Sequence, residues 1–199
     1  MQIIIQYIPC SSFEFKYVTR NGSSIACSLI LHLSEIFGEI TGVDNSSNNM
    51  LSSFQISTTM PAYLYDKRRK QWISNKILEW LLQNHNPDNN TKILAICDFD
   101  AYSGKLNFVL GEAHLGGKVA AIYLPRLRQE FYFNKSDIGS IFEQRVIKES
   151  VHELGHAFGL THCEKIRCVM HFSNSLLDTD FKDYRFCERC NIILKMQAA

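Results

Sequence analysis

With 199 residues, 46% of them hydrophobic and 21% charged, the chain sits among ordinary globular proteins and away from disordered or membrane-spanning compositions. Lys and Arg number 21 against 20 Asp and Glu, and the resulting formal net charge of +1 excludes a bulk electrostatic case for nucleic acid or an anionic membrane as partner. At this length one domain is the default, and a core can form without disulfides.

Met1 to Ile8 lacks a basic leader region and a small-residue cleavage site, and Gln6 breaks its apolar run, so it reads as a first strand and not as a signal peptide. No apolar stretch of about 20 residues follows anywhere. The expectation is a soluble, cytoplasmic, monomeric protein with reduced thiols. Ile25, Leu29, Leu33 and Ile36 fall at helical spacing and predict a core-facing helix, with Ser23 or Ser24 as N-cap and Gly38 as stop. The run Gly42 to Ser53 reads as a polar loop and Phe54 to Ser57 as a short strand. A second helix is expected from about Asp66 to Asn84, with Trp72, Ile73, Ile77, Trp80 and Leu81 as its apolar stripe and the basic run Lys67-Arg68-Arg69-Lys70 as a solvated entry to it.

Lys92 to Cys97 is a continuous apolar run of strand length, as expected of a buried central strand. Asn107 to Gly111 and Lys118 to Leu124 read as two further strands, the second closed by Pro125. A long helix follows from about Asp137 to Leu160, with Ile141, Val146, Ile147, Val151, Leu154 and Phe158 at its apolar positions. Alternating strands and helices point to an α/β sheet. A coarse boundary falls after His162, which divides one domain (1–199) into an N-terminal part (1–162) and a cysteine-rich C-terminal part (163–199).

The last helix carries His152-Glu153-Leu154-Gly155-His156-Ala157-Phe158-Gly159-Leu160-Thr161-His162. Residues four apart on a helix are separated by about 40° around the axis and about 6 Å along it, so His152 and His156 project toward one point. A continuing helix would carry His162 about 9 Å past that point, and the chain must therefore turn back. Gly159 sits where the reversal is needed. Three neutral imidazoles leave a fourth zinc position open for water, the arrangement of a catalytic site. Glu153, beside the first ligand, is placed to take a proton from that water, which suggests hydrolysis of a peptide bond. The competing view, an amphipathic helix whose polar face happens to hold three histidines and a glutamate, requires these four side chains and Gly159 to coincide with the motif.

Four of the seven cysteines follow as Cys163-x4-Cys168 and Cys187-x2-Cys190. Four thiolates form a closed, structural zinc site. A disulfide pair is the alternative, disfavoured in a reducing compartment. Such a site beside His162 would anchor the segment carrying the third imidazole. Cys10, Cys27 and Cys97 read as core residues, His32 and His85 as ordinary structural histidines, and His114 and His171 flank candidate cleft elements.

Taken together, these motifs, with Met170 two residues after Cys168, resemble the archaemetzincin family of metzincin-type zinc peptidases. The resemblance is carried by residues 152 to 190, and the spacer of positions 171 to 186 is one residue shorter than is usual in the family. It implies a metzincin-like fold of the α/β (α+β) type, with a twisted mixed sheet, an active-site helix and a small cysteine-rich C-terminal part. It implies two zinc ions per chain: a catalytic one on His152, His156 and His162, with Glu153 as general base and Met170 as the Met-turn residue beneath it, and a structural one on Cys163, Cys168, Cys187 and Cys190. A peptide or protein substrate would lie extended along an edge strand, with Lys118 to Leu124 as the candidate. The alternative is a zinc-stabilised binding or latent module with little turnover, against which the retention of Glu153 argues.

Overall fold

The computed structural model describes residues 2–9, 25–41, 51–56, 60–133 and 139–198. Its centre is a five-stranded mixed sheet in the order β2-β1-β5-β8-β7, formed by β1 (Gln2–Ile8), β2 (Leu51–Ile56), β5 (Thr91–Cys97), β7 (Gly111–Ala113) and β8 (Val119–Tyr123). Neighbours in the sheet pair parallel except β7, which runs antiparallel to β8. The apolar runs 93–97 and 119–123 are buried on both faces, as parallel central strands require.

Alternation along these strands feeds two cores. Ile3, Ile5, Leu94, Ile96, Ala120 and Ile122 face α1 (Ile25–Thr41) and the long α4 (Gly139–Ala157), while Ile93, Ala95, Val119, Ala121 and Tyr123 face α2 (Ser74–His85). The expected first strand, central strand and long helix are therefore present. The cysteine-rich tail adds the short α5 (Leu176–Phe181) and α6 (Glu188–Ala198), and together with the sheet it buries α4 on nearly every side.

Several expectations need correction. Gly38 does not stop α1, which continues to Thr41, and the proposed cap residues Ser23 and Ser24 lie outside the described residues. The second strand begins at Leu51, earlier than read, and positions 42–50 of the expected polar loop also lie outside the described residues. Residues 66–73 are not helical: β3 (Tyr65–Asp66) and β4 (Gln71–Ile73) form a hairpin that β6 (Ala101–Tyr102) extends into a small second sheet. The Asp66 carboxylate accepts the N–H groups of Arg68 and Arg69, and Lys70 takes φ 54°, so the basic run is the turn itself. Trp72 packs on Tyr65 and Phe99, which draws it into the hairpin and away from a helical stripe.

Residues 107–110 are irregular, and the strand starts only at Gly111. Most consequentially, β8 is paired on both sides, to β5 and to β7, so the segment expected to offer a free edge to substrate is internal. The edge belongs to β7.

A buried charge network ties the tail to α4. Lys182, fully buried, sits 3.0 Å from the Glu149 carboxylate, which also accepts from Thr179 Oγ1, and Arg145 forms a bidentate pair with Asp180. Lys182→Met strands the Glu149 charge in the interior and is expected to cost about 3–5 kcal/mol of stability, measurable by denaturant unfolding. A change below about 1 kcal/mol, the range of exposed pairs, would show the network to be dispensable.

Candidate active site

The helix α4 delivers His152, Glu153 and His156 to the floor of a cleft of about 570 Å³. Its C-terminus is a Schellman motif, in which Leu160 N–H bonds Gly155 O, Gly159 N–H bonds His156 O, and Gly159 itself has φ +94°. A side chain is strained at that φ, so glycine is what lets the chain double back and carry His162 to the other two imidazoles.

Nε2 of His156 lies 3.1 Å from Nε2 of His152 and 3.3 Å from that of His162. The 3.1 Å contact is not a hydrogen bond, because the protons of His152 and His156 are spent elsewhere. His152 Nδ1–H donates to Val169 O at 2.7 Å, and His156 Nδ1–H donates to Leu160 O at 2.7 Å. Two Nε2 lone pairs of fixed tautomer thus face the third imidazole across a gap. Tetrahedral zinc with Zn–N of about 2.05 Å sets nitrogens about 3.3 Å apart, which matches the observed separations. Burial, foremost, pushes the basicity of all three imidazoles down, most strongly at His152, where the charge of Lys182 adds to it. Neutral rings are what a metal needs.

Glu153 is buried, and that burial, reinforced by Glu149, lifts its carboxyl well above the ordinary range. It stands directly behind β7: a Cβ on Gly111 would fall 2.5 Å from Glu153 Cγ and Oε1. Gly111 is therefore part of the site, although in the sequence it reads only as the end of a strand. An isolated glycine in a strand signals close approach, which is the clue it carried. Met170 is buried under the helix, its sulfur where a Cβ on Gly155 would have to be.

The cleft has one wall formed by residues 106–113 and another by Phe172, Ser173 and Asn174. The first is held rigid from behind: Gln71 donates to Asn107 O, and the Arg126 guanidinium, paired with Asp100, stacks on Phe108. Ser103 and Glu112 lie on this side, and the buried Glu112 Oε2 has no hydrogen-bond partner; nor does Ser173 Oγ on the far wall. None of these was singled out in the sequence, because neither wall has a spacing signature.

The four motif cysteines converge as a second group, with Sγ separations of 3.8 Å for Cys163–Cys187 and for Cys168–Cys190. A disulfide would need about 2.05 Å. Thiolates around tetrahedral zinc at about 2.3 Å lie about 3.8 Å apart, so this donor set also fits the ion. Although burial opposes it, the backbone N–H of Cys190 and the neighbouring thiols lower Cys187 to about 7, as suits a thiol opening α6. Burial pushes Cys168 and Cys190 up.

The two groups share a backbone. Val169, the acceptor for His152, lies next to Cys168, Cys163 N–H bonds Met170 O, and His171 Nδ1–H returns to Cys163 O. The remaining cysteines and histidines lie elsewhere: Cys97 is buried in the core, Cys27 is exposed and so is no core residue, and Cys10 falls outside the described residues. His32 bonds Ser28 O and His85 contacts Gln6, while His114, expected near the cleft, does not line it.

The model of peptidase family M54 matches residues 2–196. An archaemetzincin of Methanocaldococcus jannaschii is 41% identical over 165 residues, covering 81% of this chain and 83% of its own. One of Pyrococcus abyssi is 36% identical over 171 residues, with 81% and 90% covered. The crystal structure of an archaemetzincin from Methanopyrus kandleri superposes with a TM-score of 0.74 at 29% identity, covering 98% of this chain and 95% of that one.

Because the loop 163–170 serves both donor groups, Cys187→Ser is expected to weaken metal retention by the imidazoles about tenfold, read by competitive chelation. Unchanged retention there would show that the two groups are independent.

Proposed function

The chain belongs to peptidase family M54, the archaemetzincins, which are zinc metallopeptidases, and from that membership we propose that it hydrolyses peptide bonds with Glu153 as general base. His152, His156 and His162 would hold the catalytic zinc, and the four cysteines a second ion that keeps the loop 163–170 in place. The observation that carries the reading is the convergence of three neutral imidazoles beside a buried carboxylate in an open cleft.

Zinc held there supplies Lewis acidity, making a water easier to deprotonate and a carbonyl more electrophilic. The rest falls to the protein. Glu153, held in an apolar setting that raises its proton affinity, takes the proton of the attacking water and passes it to the leaving amine. Val169 O and Leu160 O fix the tautomers that turn Nε2 of His152 and His156 inward. Gly111 leaves the room that Glu153 needs.

Substrate would lie extended along β7. Tyr123 N–H bonds Leu110 O, and His114 N–H bonds Val119 O, so alternation turns the N–H and C=O groups of Gly111 and Ala113 outward. A peptide strand added at that edge passes over the imidazoles with its carbonyls in line. The apolar rim of Leu106, Leu115 and Phe172 suits unfolded segments. No helix among the described residues is long and apolar enough to cross a membrane.

Glu153→Gln separates a hydrolase from a binding module. The expected result is loss of hydrolysis by a factor of about 100 or more with zinc retained, followed by mass spectrometry of a peptide digest and by metal analysis. A confirmed activity indifferent to the change would overturn the assignment of the base.

A further inference from the structure

Building on the reading of β7 as the strand that holds substrate, we infer that Glu112 selects a basic side chain, Lys or Arg, on the face of the sheet turned away from the imidazoles. Register assigns the faces of the strand. Gly111 and Ala113 oppose Ile122 and Ala120, which belong to the core under α4, whereas Glu112 opposes Ala121, which belongs to the core under α2. The 2.5 Å approach of a Gly111 Cβ to Glu153 fixes the same sides independently. Directly opposed residues in paired strands place their side chains on one face. A guest strand on the free edge therefore sends side chains alternately toward the imidazoles and toward Glu112.

Glu112 is equipped for such a guest. Its Oε1 accepts from Ser103 Oγ at 2.6 Å, which fixes the carboxylate, while Oε2 is buried and has no donor. Among the described residues no cation pairs with it, and Arg69, which shares this wall, is engaged with Leu106 O, Asn107 Oδ1 and the Tyr102 ring. A buried carboxylate oxygen without a donor is costly, and a ligand that brings an N–H relieves it. Leu106, 57% exposed in the same cleft, offers an apolar surface for the aliphatic stem of Lys or Arg. An acidic side chain would meet a like charge. A free α-amine carries the same donor chemistry but lies in the line of the backbone, so the geometry favours the side chain.

The test uses zinc-loaded protein and a capped peptide library, followed by a matched pair with Lys or norleucine at the position the library identifies. Wild type is expected to favour Lys about tenfold in kcat/KM. Glu112→Gln, which still accepts from Ser103, brings the ratio to about one, and Glu112→Lys turns the preference toward Glu. A ratio near one in wild type overturns the inference, as does one that persists in Glu112→Gln or a preference that follows an uncapped N-terminus. Anisotropy binding of the same pair to the zinc-loaded Glu153→Gln protein reads the subsite without turnover. Tighter binding of Lys without hydrolysis by wild type supports the subsite and removes the hydrolase reading, whereas equal binding removes the subsite itself.

Discussion

Nε2 lone pairs meeting at one point in a half-buried cleft form the constraint on which the rest of this structure depends. The imidazoles of His152 and His156, their Nε2 atoms 3.1 Å apart and their Nδ1 protons given to the Val169 and Leu160 carbonyls, have no proton to offer one another. A zinc ion would satisfy them all. Each larger feature follows from keeping that point in place: a helix long enough to hold two imidazoles four residues apart, a glycine that ends it with φ +94°, and a loop that returns to accept the His152 proton. Three imidazoles held this close need a firm frame, and this is where the cysteines enter.

Val169 and Met170 anchor the end of the loop 163–170 in the main core. Four thiol groups within 4.8 Å of one another give it a second point of attachment, one residue from His162 and one from Val169. Buried charges do the same on the other side of α4, where Lys182 and Asp180 reach back to Glu149 and Arg145. The active-site helix is thus clamped by the sheet on one face and by a metal-ready loop and an ion-pair network on the others. Such clamping suits a site whose ligands must stay within a few tenths of an ångström of their places.

Much of this could be read from residue types and spacings. The long helix, the Gly159 turn and both donor groups follow from local rules, since His152, Glu153 and His156 share a face by helical geometry and Cys187-x2-Cys190 opens a helix. What escaped had non-local causes. Asp66 to Ile73 has a helical stripe, yet Trp72 finds its partners in Phe99 and Tyr65, and the Asp66 carboxylate nucleates a turn instead. Strand order cannot be read from apolar runs, so Lys118 to Leu124 looked like an edge when it lies between two neighbours. Gly111, Ser103 and Glu112 belong to the cleft only because β7 folds back over α4, which no spacing in the chain announces.

The proposed function turns on whether the two donor groups are two zinc sites. Zinc X-ray absorption on the purified protein, combined with metal analysis, tests it most directly. Two ions per chain are expected, with two scattering shells of comparable weight: nitrogen or oxygen near about 2.0 Å from the histidine site and sulfur near about 2.3 Å from the cysteines. A single ion, or a spectrum without the sulfur shell, would contradict it.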